Sequence, residues 1–177
     1  MSLQEPPTDA AVDAVRERTA TWLDPLVTAA AVRERPGLEA LRAIAAGEIP
    51  GPPIASTLGF RLVAVEPGRA EFLLEPGEHQ YNPIGSVHGG VFATLLDSAA
   101  GCAVHSMLPA GVGYTSLDLS VKFLGAIRAD TGPVTAVGTV THLGGRTALA
   151  EARLTDAEGK LLATATSSCL IMRPGGA

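Results

Sequence analysis

Aromatic residues are scarce: Phe, Tyr and Trp together make up 4% of the 177 residues. A core built from this chain must therefore rely on Ala, Val, Leu and Ile. Cysteine occurs only as Cys102 and Cys169, each among small apolar neighbours and in no CxxC or Cys/His pattern. That excludes a disulfide framework and a zinc knot, and fits two reduced thiols that serve packing. No run approaches the roughly 20 apolar residues of a membrane span. The stretch MSLQEPPTDAAVDAVRERTA has acidic residues and no apolar core, so it does not read as a secretory signal. The net charge of −5 argues against a broad basic footprint for nucleic acid. The expectation is a soluble cytoplasmic protein with neither a nucleic-acid nor a membrane partner.

What is present is apolar bulk, 46% of the chain, which excludes a disordered polymer. The length suits one domain plus an extension. Residues 8–47 read as two or three short helices. Asp9 would cap a segment carrying Val12, Val15 and Leu23, with Arg16, Glu17 and Arg18 on its polar face. Pro25 and Pro36 break the pattern, and a last helix around Leu38, Leu41 and Ile44 stops at Gly47. The stiff IPGPP stretch then marks a junction, dividing an N-terminal helical extension (1–50) from a main domain (51–177).

Within the main domain, LGFRLVAV (58–65) and RAEFLLE (69–75) flank a Pro-Gly turn and read as paired strands. Four more strand-like runs cover 114–124, 133–143, 146–155 and 160–172, the last three joined by short turns. Between the second and third strands lies VFATLLDSAAGCAVHSML (91–108), which is apolar or small on every face and ends at Pro109. A helix with no wet side must be enclosed. The architecture expected is α+β: a strongly curved antiparallel sheet wrapped around one long buried helix, the hotdog arrangement, with sheet edges open to pairing in a dimer.

Asp97 is the only charge in residues 91–104. A carboxylate in such a helix is costly unless paired, hydrogen-bonded or functional. Ahead of the helix stands Asn82-Pro83-Ile84-Gly85-Ser86-Val87-His88-Gly89-Gly90. Two glycines at a helix start leave backbone N–H groups unshielded at the positive end of the dipole, which suits the oxyanion of an acyl-transfer intermediate. Asp97 lies eight residues beyond Gly89, about 12 Å of helical rise. Base and oxyanion donors must both come within about 3 Å of one reacting centre. One helix can hardly supply both, so the spacing predicts a site shared between two subunits.

The run NPxGxxHGGxxxxLxDxA, here Asn82 through Ala99, resembles the signature of hotdog acyl-CoA thioesterases of the phenylacetate-pathway (hydroxyphenylacetyl-CoA) type, and the likeness extends over roughly residues 54–173. It implies acyl-CoA hydrolysis with no metal or other cofactor, coenzyme A being part of the substrate. It also implies a homodimer, with a dimer of dimers as the family's larger assembly. Carried over by position, Asp97 is the catalytic carboxylate, as nucleophile or as general base on water. Gly89 binds the thioester oxygen, His88 and Asn82 support its loop, and Ser116, with Thr115 as the alternative, holds the attacking water. Coenzyme A would lie against Gly90, Phe123 to Arg128, and the turn Gly145-Arg146-Thr147. Relatives often have Arg-Pro after the strand where this chain has Gly125-Ala126-Ile127-Arg128.

Plainer readings stand beside these. His105 reads as a satisfied or partly exposed histidine, and His79 and His142 as surface residues. Asn82 also reads as a plain turn starter before Pro83. Ile54, Leu58, Phe92 and Leu96, with the N-terminal helices, would shape an acyl pocket. A non-catalytic acyl-CoA-binding module is the rival reading. A hotdog hydratase would need an Asp and a His five residues apart on the same loop and helix, and that pair is missing.

Overall fold

The computed structural model describes residues 14–174. Its elements are α1 (Pro25–Arg33), α2 (Gly37–Ala45), α3 (Pro53–Leu58), β1 (Phe60–Glu66), β2 (Arg69–Leu74), α4 (Gly89–His105), β3 (Gly113–Phe123), β4 (Val134–Leu143), β5 (Thr147–Thr155) and β6 (Leu161–Met172). The six strands form one sheet in the order β1-β2-β4-β5-β6-β3, every pair antiparallel. This is the hotdog fold. The strands lie within two residues of their expected positions, and no helix among the described residues is long and apolar enough to cross a membrane.

The sheet curves because its registers slip. Shifts between Leu62 and Ala64, Ser116 and Asp118, Val140 and His142, and Leu154 and Thr155 each place an unequal number of residues on paired strands. Such bulges bend a strand and increase its twist. The inner face is made of small side chains where it meets α4, including Ala136, Ala148, Ala150 and Ala152. At Gly138 a Cβ would overlap the Ala99 carbonyl of α4, so the strand and the helix touch backbone to backbone. Scarce aromatics and a tight wrap are the same fact. Leu95, Leu96 and Val104 are fully buried, each stabilising the fold by about 1.5–3 kcal/mol.

The helix α4 starts two residues earlier than expected because His88 caps it: its Nδ1 accepts from the Gly90 N–H at 2.9 Å. It ends three residues sooner, at His105, where Ser106 turns its hydroxyl to the Ala103 carbonyl and accepts from the Gly68 N–H. The helix is also not sealed on every side. Asp97, Ser98, Cys102 and His105 are half-buried on a stripe that the sheet does not cover.

The N-terminal expectation needs correction. Residues 14–24 are not helical, and Asp9 and Val12 lie outside the described residues. The apolar positions there find no core, Val15 and Leu23 both being exposed. The arginines are bound elsewhere: Arg18 donates to the Thr57 and Ser56 carbonyls at the end of α3, and Arg16 pairs with Glu78 at 2.7 Å. A helix C-terminus offers unsatisfied carbonyls and negative potential, so the guanidinium is better placed there than on a solvated helix face. Pro25 starts a helix rather than breaking one, with Asp24 accepting from the Leu26 N–H at 2.9 Å. After IPGPP a short helix, α3, precedes β1; it ends at Gly59, whose φ of 80° makes the turn into the strand.

Candidate active site

The bulge in β3 orients the first part of the site. Ser116 pairs with Cys169 and Asp118 with Ser168, leaving Leu117 as the extra residue. Ser116 therefore faces α4, where its Oγ donates to Asp97 Oδ1 at 2.9 Å. Thr115 pairs with Leu170 on the outer face of the sheet and is turned away. Asp97 also lies on the wall of a cavity of about 800 Å³. The cavity runs between α4, β1 and β2 on one side and α1, α2 and α3 on the other.

The second part is the start of α4. The Gly90 N–H is taken by His88 Nδ1, and the Val91 N–H by the His88 carbonyl. The Gly89 N–H makes no hydrogen bond among the described residues, which leaves a donor at the positive end of the helix dipole. Because His88 Nδ1 accepts, the neutral ring carries its proton on Nε2. Asn82 works within its own loop: its Oδ1 accepts from the Ile84 and Ser86 N–H groups, and its Nδ2 donates to Ser86 Oγ. Phe123 packs edge-on against Phe92 and lies over Gly89. The Val87 N–H donates to the Ile127 carbonyl, and the Ala129 N–H to Tyr81 Oη, so the loop carrying Arg128 is tied to this same end.

The register separates the expected residues into two groups. Ser116 and Ala148 both lie level with Cys169 of β6, so the turn Gly145-Arg146-Thr147 sits near the level of Ser116 and its partner Asp97. Phe123 lies level with Ala163, six residues away along β6, a separation of about 20 Å at strand rise. Asn82, His88, Gly89, Gly90, Phe123 and Arg128 share one end of the molecule. Asp97, at the middle of α4, forms a second group with Ser116, Gly145, Arg146 and Thr147.

The cavity wall differs from expectation. Phe92 and Leu96 point into the sheet and are part of the closed core, and Ile54 is exposed. The cavity is lined instead by Leu41, Ile44, Phe60, Leu62 and Phe72, with Cys102, His105 and Tyr114. Burial first, and then the Asp97 charge, pushes the Cys102 thiol up to about 12. Burial likewise raises Tyr114 well above an ordinary phenol, with Cys102 and Asp97 adding to it. His105 is not satisfied: both ring nitrogens are buried and without a hydrogen-bond partner among the described residues. Its spacing from Asp97 on one helix was the signal available for it.

Comparison with known proteins identifies the family. Residues 84–163 match the model of the thioesterase superfamily. The 1,4-dihydroxy-2-naphthoyl-CoA hydrolase of Listeria monocytogenes is 34% identical over 110 residues, covering 62% of this chain and 87% of the relative. A phenylacetic acid degradation-related protein of Ralstonia eutropha JMP134 superposes with a TM-score of 0.66 at 30% identity, covering 73% of this chain and 98% of that one. The E. coli PaaI protein, from the phenylacetic acid degradation operon, superposes equally well at 0.66 and 23% identity, over 77% of this chain and 94% of that one, and shows the shared fold. With 34% identity across nearly the whole length of a hydrolase, and the family's own model laid over the α4 region, the chain belongs to the thioesterase superfamily and is a thioester hydrolase.

Proposed function

We propose that the substrate is an acyl-CoA and that the site is assembled from two copies of the chain. Asp97 of one protomer supplies the carboxylate, and Gly89 of the other supplies the N–H that receives the thioester oxygen. The observation that carries this reading is the separation of the two groups: a carboxylate held by Ser116 at the middle of α4, eight residues from an N–H at the helix start that has no hydrogen bond among the described residues. The names of the relatives support the substrate class, since one is a hydrolase of an aryl-CoA thioester.

Pairing through β3 brings the two groups together. This strand is at the edge of the sheet and exposes Leu117 and Phe123, with Leu124 just beyond it. An unpaired edge is a template for a second strand. Antiparallel pairing of two β3 edges sets Asp97 and Ser116 of one protomer beside the start of its partner's α4. One coenzyme A then reaches Phe123 and Arg128 of one copy and Gly145, Arg146 and Thr147 of the other, which a single chain holds about 20 Å apart. Arg128 and Arg146 offer planar donors to its phosphates. The Gly90 N–H is already used by His88, so at Gly90 the absence of a side chain is what lets the ligand approach.

Hydrolysis adds water to the thioester carbon and breaks the C–S bond, giving a carboxylic acid and the coenzyme A thiol. Asp97 serves either by taking the proton of the attacking water or by attacking first and forming an anhydride that water opens. Ser116 fixes the carboxylate in both routes. The test is thiol release across a panel of acyl-CoAs by wild type and Asp97→Asn. The variant keeps shape and removes basicity, and its rate is expected to fall by about 10²-fold or more. Wild-type turnover by Asp97→Asn would sink the assignment. Tight acyl-CoA binding with no thiol release by the wild type would identify a binding module instead.

A further inference from the structure

His105 has no role in the chemistry above, yet its placement is unusual. It stands eight residues beyond Asp97 on α4, on the stripe that lines the same cavity. Its ring packs 5.9 Å from that of Tyr114, at a tilt of 41°. Its other side is closed by α2, where a Cβ on Gly37 would overlap the His105 carbonyl and approach the ring carbon Cδ2 at 3.2 Å. The rest of the cavity wall joins apolar side chains, among them Leu41, Phe60 and Phe72, to the polar Arg61, Ser56 and Ser98. Neither ring nitrogen has a hydrogen-bond partner among the described residues.

A buried polar group left unpaired costs about 1–3 kcal/mol, so native proteins rarely keep one without use. A phenylalanine would fill the same space at no such cost. We propose that His105 is a specificity-determining residue. It reads a hydroxyl or oxo oxygen at the distal end of the acyl group. The inference rests on the acyl-CoA reading above and narrows it to acyl groups with a polar far end. Both nitrogens are buried, so the reading requires the ring to turn about its Cβ–Cγ bond as the acyl group enters. A neutral imidazole both donates and accepts, so it takes either oxygen type.

The helix also sets the length. Eight residues place His105 about 12 Å along the axis from Asp97. Subtracting hydrogen-bond reach of about 3 Å at one or both ends leaves the polar oxygen roughly 6–9 Å from the thioester carbon. An oxygen next to the thioester, as in a 3-oxoacyl group, falls short of it. One on the far side of an aromatic ring, or at the end of a six-carbon chain, reaches.

Two matched pairs test this by kcat/KM: 6-hydroxyhexanoyl-CoA against hexanoyl-CoA, and 4-hydroxyphenylacetyl-CoA against phenylacetyl-CoA. The wild type is expected to favour the hydroxylated member of at least one pair by tenfold or more. A site that hydrogen-bonds a substrate oxygen rejects the analogue lacking it. His105→Phe is expected to reduce that ratio at least tenfold, and His105→Gln, which keeps a donor and an acceptor, to retain most of it. A merely structural role would change both members of a pair together and leave the ratio intact. Wild-type ratios near one in both pairs would overturn the proposal, and so would a ratio that His105→Phe leaves unchanged. Thiol release from none of the four thioesters would instead count against the acyl-CoA reading itself.

Discussion

Ser116 Oγ donates to Asp97 Oδ1 at 2.9 Å, across the gap between the edge strand and the central helix. The contact exists because the β3 bulge at Leu117 turns Ser116 inward and leaves Thr115 facing outward. A single hydrogen bond of this kind contributes about 0.5–1.5 kcal/mol. Ser116→Ala is therefore expected to lower kcat about three- to tenfold with little change in KM, and Thr115→Ala to change it less than twofold. Steady-state kinetics on the best acyl-CoA decides; equal losses in the two variants would mean that the bulge does not select the partner.

The unbonded N–H of Gly89 can be removed with little disturbance to the backbone. Gly89 is the first helical residue, a position where proline is well tolerated. His88 before it is extended, with φ −63° and ψ 137°, as a residue preceding proline must be. The Phe123 ring, 3.2 Å from the position of a Cβ, has to give slightly. Gly89→Pro should fold, and should lose about 10²–10³ in kcat if this N–H meets the oxyanion.

That variant also tests the shared site. In a dimer of Asp97→Asn with Gly89→Pro, one site carries both defects and the other carries neither. Mixing equal amounts of the two nearly inactive chains under exchange conditions is expected to restore roughly a quarter of wild-type activity, by random pairing of protomers. A mixture no more active than its components would place both groups in one chain and contradict the geometry of α4.

Much of this was legible beforehand, for physical reasons that can be named. Alternation and turn residues placed all six strands, because a strand with one buried face repeats every second residue. Asp97 stood out because it is the only charge in an apolar helix. Three things were not legible. Val15 and Leu23 have helical spacing but no core to bury against, so residues 14–24 follow the carbonyls that bind Arg18 instead. The apolar content of α4 did not say which stripe faces the sheet, so Phe92 and Leu96 were expected on a cavity that Leu41, Ile44 and Phe60 line. His105 resembled any other late-helix histidine until its neighbours were known.

The contact of β4 with α4 yields a stability prediction. Gly138 meets the Ala99 carbonyl and the Ala100 N–H region with no room for a methyl group, and both partners are backbone, which cannot rotate away. Gly138→Ala should destabilise the fold by about 1–3 kcal/mol or more, as overpacking does. Gly145→Ala, with open space around the added carbon, should stay within about 0.5 kcal/mol, as surface substitutions generally do. Urea midpoints at constant m distinguish the two.

His105 also predicts how stability depends on pH. Two influences oppose each other there: the C-terminus of α4 favours an imidazolium, while burial disfavours it. Burial prevails, and holds the group below its ordinary value of 6.5. The titratable groups around it are Asp97 and Cys102 on its own helix, Tyr114 on β3 and Arg61 across the cavity. Cys102 and Tyr114 are both pushed up and stay neutral at and below pH 7.5. As pH falls through 6.5, the unfolded chain takes up a proton at this position that the folded chain refuses. The unfolded state then binds more protons, so stability declines with falling pH and is regained above 6.5. The urea midpoint is expected to drop between pH 7.5 and 5.5 in the wild type, and to drop clearly less in His105→Phe. His79 is shifted in the same direction, by burial and then by Arg18, but it lies at the surface, so His79→Gln should leave most of the wild-type slope in place. A slope unchanged in His105→Phe would mean that the buried imidazole accepts its proton as readily folded as unfolded.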